Sequence, residues 1–214
     1  MVTPGMALRA VLIDLDETLY APGDALIRTV DARITAFIAI HTGLPWERAD
    51  GLRRELWCEF GTTARGLNRL FDVDERDLNR FAVDSVEPEL HVTPDPGLAE
   101  SLSRIAVPRY LFTNATRRYA ERVLVSLGVH EQVEAIFDIE FSLFNPKPSP
   151  IFYRRVVEAL GLPPHEIAVV DDNPRNFAPA LALGMACICV GPQEAPPGVV
   201  CVPTFAEVPE ALES

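Results

Sequence analysis

RAVLIDLDETLY, residues 9–20, is the stretch from which the fold of this chain can be worked out. Residues 10–13 are apolar without alternation, a pattern typical of a parallel strand that is covered on both faces. Asp14 and Asp16 follow at once, and open α/β sheets bind their ligands at the carboxyl ends of strands. Two carboxylates this close repel each other unless a cation lies between them, and a hard divalent cation is the usual one. An Asp-x-Asp pair also begins many ordinary turns, so the rest of the chain must decide.

The composition disfavours several classes of partner. The chain has 214 residues, enough for one large domain or one domain that carries an insertion. A net charge of −12, from 19 basic and 31 acidic residues, disfavours nucleic acid polymers and anionic membranes as partners. Small phosphorylated metabolites remain possible partners, because they respond to the local field of a few groups.

The sequence also predicts a compartment. The first residues, MVTPGMALRA, lack the apolar segment of a signal peptide, and no apolar run reaches transmembrane length. Four cysteines show neither metal-ligand spacing nor the density of a disulfide framework. Cys187 and Cys189 fall on one face of a predicted strand and are expected to be buried thiols. We therefore expect a cytoplasmic protein, as a monomer or a homodimer.

Residues 21–92 are predicted to be helical throughout. Apolar residues recur at helical spacing from Leu26 to Ile38 and predict a helix over about 24–41, closed by Gly43. Three further helices are expected over 45–60, around 67–71 and over 75–82. No convincing strand appears between Tyr20 and Val92, so a helical block follows directly after the first strand.

From Thr93 the pattern changes to alternating strands and helices. Strands are predicted over 109–113, 135–139, 166–170, 186–190 and 199–202, with helices between them and a loop over 191–197. Such alternation is typical of a doubly wound parallel sheet. We expect a core made of residues 1–20 and 93–214 and a second, helical unit made of residues 21–92.

Four sets of polar residues fall at or just after predicted strand ends: Asp14/Asp16, Thr113-Asn114, Lys147 and Asp171-Asp172. Because the carboxyl ends of parallel strands share one edge, these groups can converge. Acids, a hydroxyl and a lysine at one edge suit magnesium-dependent phosphoryl transfer, in which the charge on the phosphoryl oxygens must be neutralised. An aspartate can then be the nucleophile.

Each of these residues also has an ordinary structural interpretation. Lys147 could be a surface lysine between two prolines. Asp171-Asp172-Asn173 could cap the helix that begins at Pro174, and Thr113 could be a satisfied hydroxyl at a strand end. Each interpretation is reasonable alone, but their coincidence at one sheet edge favours a functional site.

Four motifs in order resemble those of the haloacid dehalogenase superfamily: DLDETLY, LFTN, the lysine of NPKPSP, and VVDDN. Their spacing agrees over nearly the whole chain, and the helical block occupies the place of that family's C1 cap. The resemblance implies a Rossmann-like, doubly wound parallel sheet with an inserted all-helical C1 cap.

The resemblance also implies a role for each matching residue. Asp14 would attack phosphorus, and Asp16 would protonate the leaving oxygen and then activate the water that hydrolyses the intermediate. Lys147 would be catalytic and would bind phosphate, together with Thr113 and the backbone of Asn114.

For the metal, the resemblance implies Mg²⁺. Asp14, the backbone carbonyl of Asp16 and Asp172 would hold the ion. Asp171 would act through a water molecule or would orient Lys147.

The dehalogenases of that superfamily lack an acid at the place of Asp16, so the resemblance together with this second acid implies a phosphatase or a phosphomutase. The stretches DETLY, FGTTARGL, VTPDPGL, LFTNA, IFDI, NPKPSP and VVDDNPRN resemble the pyrimidine 5′-nucleotidase group, which dephosphorylates nucleoside monophosphates such as UMP and CMP. One position departs from that group, which often has His where this chain has Tyr119. The departure leaves the chemistry unaffected and the exact subgroup open.

Substrate selection is expected from the helical block. Thr62, Thr63 and Arg65 lie in a short segment flanked by Gly61 and Gly66 and could reach the substrate. The alternative is that this segment is only a turn between helices.

Three other functions compete with a nucleotidase. A sugar-phosphate phosphatase of the same superfamily has the same core motifs. A phospho-receiver domain would place its lysine last in the chain, whereas Lys147 precedes Asp171. A catalytically silent interaction module would not need Asp14, Asp16 and Lys147 all intact.

Overall fold

The computed structural model describes residues 7–21 and 23–213. Residues 1–6, Pro22 of the expected turn and Ser214 lie outside the described residues. The expectations about the start of the chain therefore stay predictions.

The core is one sheet of six parallel strands in the order β3-β2-β1-β4-β5-β6. This order confirms the doubly wound, Rossmann-like arrangement. The strands are β1 (Ala10–Ile13), β2 (Arg109–Phe112), β3 (Ala135–Phe137), β4 (Ile167–Asp171), β5 (Ala186–Val190) and β6 (Val200–Val202). β1 and β4 are neighbours at the point where the strand order reverses, which is where such sheets leave a crevice for ligands.

Both faces of the sheet are buried, as the unbroken apolar runs predict. Val11 and Ile13 belong to one hydrophobic core, and Ala10 and Leu12 belong to the core on the opposite face. Successive side chains of a strand point to opposite faces, so a strand covered on both sides needs apolar residues at every position.

Helices cover the sheet and form the block after β1. They are α1 (Ala25–Thr42), α2 (Trp46–Phe60), α3 (Thr63–Phe71), α4 (Glu75–Leu78), α5 (Pro96–Arg104), α6 (Arg117–Leu127), α7 (Pro150–Leu160), α8 (Phe177–Leu183) and α9 (Val208–Glu213). Among the described residues between Tyr20 and Val92 no strand occurs, as predicted. α1 to α4 pack around a third hydrophobic core that includes Phe37, Leu56 and Leu67.

The helix ends follow the expected local chemistry with a few differences. The side chain of Asp24 caps α1 by accepting from the Leu26 N–H, and Gly43 ends that helix in a left-handed conformation. α4 continues into a π-helical turn, Asn79–Val83. Ser149 stands at the N-cap position of α7, but its side chain makes no capping hydrogen bond.

Two other expectations can be compared with the structure. Cys187 and Cys189 are buried in the same core, as predicted. Within the described ranges, no helix combines the length and the apolar character needed to cross a membrane.

Candidate active site

The residues of the four core motifs meet at the carboxyl edge of the sheet. Asp14 directly follows β1, Thr113 follows β2, Asp171 is the last residue of β4, and Asp172 comes next. Carboxylate oxygens of Asp14, Asp171 and Asp172 all lie within 4.8 Å of one another. Lys147, from the segment before α7, enters the same cluster. The convergence follows from the strand order, which puts β1 between β2 and β4.

Lys147 is the buried cation of this cluster. Its Nζ lies 2.8 Å from Asp14 Oδ1 and 2.7 Å from Asp171 Oδ2, and its side chain is 1% exposed. The ammonium also lies 5.1 Å from the ring centroid of Phe112. Burial acts to lower the pKa of Lys147, but the two carboxylates outweigh it and raise that pKa above its usual value. Lys147 therefore stays charged.

Both carboxylate oxygens of Asp171 accept hydrogen bonds from neighbouring side chains and backbone. One oxygen accepts from the backbone N–H of Asn173 at 2.9 Å and the other from Lys147, while Asn176 Nδ2 lies 2.9 Å from both oxygens. Of the two roles expected for Asp171, this geometry favours orienting Lys147.

Burial raises the pKa values of the other two carboxyl groups, Asp14 and Asp172. Burial raises the pKa of Asp14 well above its usual value, although the Lys147 charge opposes the shift. Burial and then the Asp171 charge raise the pKa of Asp172 to about 7. Three carboxyl groups thus share one ammonium, and a further cation would oppose these upward pKa shifts.

Asn114 ties the lysine segment to the end of β2. Its Oδ1 accepts from the Lys147 backbone N–H at 2.7 Å, and its Nδ2 donates to the Lys147 carbonyl oxygen at 3.1 Å. The side chain of Asn114 thus holds the lysine segment in place, a contact that no sequence motif indicates. Thr113 is buried and accepts from the Ala115 N–H at 3.0 Å; a hydroxyl that accepts keeps its proton for another partner.

Asp16 is held by two tyrosines that the sequence motifs did not identify as functional. The hydroxyl of Tyr20 donates to Asp16 Oδ1 at 2.5 Å, and that of Tyr119 donates to the same oxygen at 3.1 Å. Burial raises the pKa of Asp16, and the two phenol hydrogen bonds oppose the shift. The sequence drew attention to Tyr119 because it departs from the nucleotidase pattern, but it did not indicate the contact of Tyr119 with Asp16.

A cavity of about 160 Å³ opens over these groups. Ile27 of α1 and Trp57 of α2 line it from the helical block. The sheet edge contributes Asp14, Asp16, Glu17, Thr113, Asn114, Lys147, Asp172, Asn173 and Asn176. Ile27 and Trp57 were missed, because an apolar residue on an amphipathic helix looks the same whether it faces a core or a cavity.

The three residues expected to contact substrate make other contacts in the described structure. Thr62 caps α3 by accepting from the Arg65 N–H, and Thr63 is buried and donates to the carbonyl oxygen of Arg53 at 3.1 Å. Arg65 donates to the carbonyl oxygen of Phe144, in the segment before Lys147. These contacts favour the alternative of a structural segment, and contact with substrate stays a prediction.

The donor set fits a hard divalent cation. Asp14, Asp171 and Asp172 offer carboxylate oxygens, the ligands that Mg²⁺ prefers, next to a single buried ammonium. Since Asp171 is occupied by three donors, Asp14 and Asp172 are the side chains with capacity for an ion.

Comparisons with known proteins agree with this geometry. The family model of haloacid dehalogenase-like hydrolases matches residues 8–184. The yeast Saccharomyces cerevisiae protein named phosphate metabolism protein 8 is 26% identical over 196 residues, which cover 85% of this chain and 61% of that protein. The chain thus spans less than two thirds of that relative's length.

Two further similarities are informative. A phosphoglycolate phosphatase of Chromobacterium violaceum is 27% identical over 199 residues, covering 86% of this chain and 85% of that protein. The crystal structure of CbbY from Rhodobacter sphaeroides in complex with phosphate superposes with a TM-score of 0.71 at 20% identity, covering 94% of this chain and 96% of that one. At that identity the structural similarity establishes the fold alone.

Proposed function

This chain belongs to the haloacid dehalogenase-like hydrolase family, and we propose that it hydrolyses phosphoric monoesters through an aspartyl-phosphate intermediate. The carrying observation is the position of Asp14, which ends the central strand with one carboxylate oxygen 2.8 Å from the ammonium of Lys147. A carboxylate beside a fixed cation at the crevice of a doubly wound sheet can attack phosphorus while the cation neutralises the phosphoryl oxygens.

The two half-reactions divide between Asp14 and Asp16. An Asp14 oxygen attacks phosphorus, and Asp16 gives its proton to the leaving oxygen, so that a neutral alcohol departs. Asp16, now a carboxylate, takes a proton from a water molecule that attacks the aspartyl phosphate. That step releases phosphate and restores both side chains. Thr113 and the backbone of Asn114 would bind phosphate oxygens.

Asp14, the backbone carbonyl of Asp16 and Asp172 are the groups that would hold Mg²⁺. The ion, when bound, supplies positive charge near the phosphoryl oxygens. The observation that supports it is the excess of carboxylates over the single ammonium in the site.

For the substrate, we propose a nucleoside monophosphate. Trp57 supports this choice, since its side chain lines the cavity and remains 44% exposed. An indole ring at the mouth of a phosphate site can stack on a nucleobase, and such stacking contributes roughly 1–3 kcal/mol per base. The sequence motifs of the pyrimidine 5′-nucleotidase group point to UMP and CMP.

A sugar-phosphate or other small-metabolite phosphatase is the second candidate, and the cavity size favours it. About 160 Å³ is small beside the roughly 300–1,000 Å³ of typical ligand pockets. A compact leaving group therefore fits the described arrangement directly, whereas a nucleoside requires the helical block to open.

We further propose that residues 21–92 act as a C1 cap over a core of residues 1–20 and 93–214, and that the protein works in the cytoplasm. The third hydrophobic core within the helical block supports the first proposal. The boundary between the two units is not sharp at the first turns of α1, because Leu26 and Val30 pack into the hydrophobic core that covers the sheet.

The test is release of phosphate from p-nitrophenyl phosphate by the purified chain with Mg²⁺, followed by a screen of nucleotides and sugar phosphates ranked by kcat/KM. Asp14→Asn is the control, because an amide cannot form the phosphoenzyme. We expect its turnover to fall by at least about three orders of magnitude with an unchanged circular dichroism spectrum. A variant that keeps the wild-type rate would show that Asp14 is not the nucleophile.

A further inference from the structure

Tyr20 and Tyr119 share one acceptor, the Oδ1 atom of Asp16, at 2.5 and 3.1 Å. A carboxyl side chain normally samples several rotamers, and Lys147 is a cation that could attract this one. That ammonium is already bonded to Asp14 and Asp171. The two phenols therefore define where the Asp16 carboxyl group lies.

Tyr20 comes from a turn that is itself well braced. The Leu19 N–H donates to the Leu15 carbonyl oxygen at 3.0 Å, which closes the turn. Glu17 within it has a left-handed backbone with φ of 60°, and its Oε1 accepts from the Gly23 N–H at 2.6 Å. The turn brings the Tyr20 ring back beside Asp16.

Tyr119 comes from a different element, the first turn of α6. Its side chain is 2% exposed, and its backbone N–H donates to the capping hydroxyl of Thr116. Thr116 in turn donates to Asp84, at the end of the helical block. The two phenols thus come from separate elements, the turn after β1 and the first turn of α6, and their hydroxyls also interact with each other.

Both phenols remain donors. Burial, and then the neighbouring Asp16 carboxylate, raise the pKa of each hydroxyl well above its usual value of about 10. Each phenol has one proton to donate, and both donate it to Oδ1 of Asp16. A proton on the carboxyl group is then directed to the other oxygen, Oδ2.

We propose that Tyr20 and Tyr119 are positioning residues that reserve Oδ1 of Asp16 for themselves and present Oδ2 to the leaving oxygen of the substrate. The inference rests on the proposed phosphatase function. It adds two side chains whose effect is exerted through Asp16, without contact with the phosphoryl group.

The experiment uses Tyr20→Phe and Tyr119→Phe, which remove only the hydroxyl, with two substrates of nearly the same shape. Phenyl phosphate has a poorer leaving group than p-nitrophenyl phosphate and depends more on proton donation. Because kcat/KM covers only the steps up to departure of the leaving group, it isolates this proton transfer from hydrolysis of the intermediate. We expect kcat/KM for phenyl phosphate to fall at least tenfold in each variant, and that for p-nitrophenyl phosphate less than threefold.

Two controls separate positioning from packing. Tyr110→Phe, in β2, alters a tyrosine whose ring packs against Phe137 and should leave both substrates unaffected. In an Asp16→Asn background, Tyr119→Phe should change the ratio of the two kcat/KM values by less than twofold, because the group it positions is gone.

Three results would overturn the inference. They are equal losses on both substrates, no loss on phenyl phosphate in either single variant, or a full tenfold effect of Tyr119→Phe in the Asp16→Asn background. Failure of the wild-type chain to hydrolyse either substrate would instead remove the proposed function and this inference with it.

Discussion

Lys147 Nζ lies 2.8 Å from Asp14 Oδ1, so the proposed nucleophile and the only cation in its carboxylate cluster form a buried pair within the described residues. The same ammonium reaches Asp171 at 2.7 Å. Breaking a buried ion pair by removing one partner is costly, because the remaining charge stays buried and uncompensated.

Lys147→Met keeps much of the side-chain volume but removes the charge. We expect loss of activity and a fall of about 3 kcal/mol in the free energy of unfolding at neutral pH, measured by urea denaturation without metal. The double variant with Asp14→Asn should recover part of that loss, since it removes one stranded carboxylate. If Lys147→Met alone were as stable as the wild type, the ion pair of Lys147 and Asp14 would contribute nothing to the free energy of unfolding.

Metal removal should abolish activity. Excess chelator is expected to stop phosphate release, and Mg²⁺ should restore it, whereas Ca²⁺ should restore little, because its looser and higher coordination misplaces the reacting groups. Phosphate release in a metal titration is the measurement. Full turnover in chelator would exclude the metal from the mechanism.

Gly61 joins α2 to α3 where the helical block meets the lysine segment. Its φ is +85°, and a Cβ there would lie 2.8 Å from the Lys147 carbonyl oxygen. Gly61→Ala should therefore lower kcat at least tenfold, because it displaces the segment that carries Lys147.

Gly43→Ala is the matched control for Gly61→Ala. Gly43 also has a left-handed backbone, φ of +69°, but nothing lies within 4 Å of its added Cβ. The Gly43→Ala variant should lose about 1 kcal/mol of stability and keep its activity. Equal activities of the two variants would contradict the importance of the close approach at Gly61.

Trp57 is expected to recognise the base of a nucleotide. Trp57→Ala should lower kcat/KM for UMP about tenfold or more, roughly 1.4 kcal/mol of transition-state binding. Ribose 5-phosphate, which lacks the base, should change less than threefold. Trp46→Ala is the control, because Trp46 is similarly exposed, at 49%, but begins α2 outside the cavity lining. Equal losses on both substrates, or no preference of the wild type for nucleotides, would favour the sugar-phosphate alternative.

The sequence predicted the elements well, because their signals are local. β1, the helical run after it and the alternation from Thr93 onward depend on side-chain periodicity and on caps such as Gly43, which act within a few residues. The bounds were less accurate. β3 ends at Phe137 rather than at 139, and β4 continues through Asp171, since hydrogen bonds to neighbouring strands decide where a strand ends.

The core motif residues could also be anticipated, and the structure does bring Asp14, Thr113, Lys147 and Asp172 to one cavity. The principle behind this is general: parallel strands end at one edge, so residues after different strands converge there whatever their separation in sequence. Their catalytic roles stay predictions until the variants are measured.

By itself, then, the sequence determined the fold class and the set of groups at the sheet edge. The tertiary structure alone decided which partners those groups have: Tyr119 on Asp16, the Asn114 side chain on the Lys147 backbone, and Trp57 rather than Thr63 at the cavity. The physical reason is range. Periodicity and capping act along the chain, whereas a hydrogen bond or a cavity wall depends on how separate elements pack, and no short stretch of sequence contains that information.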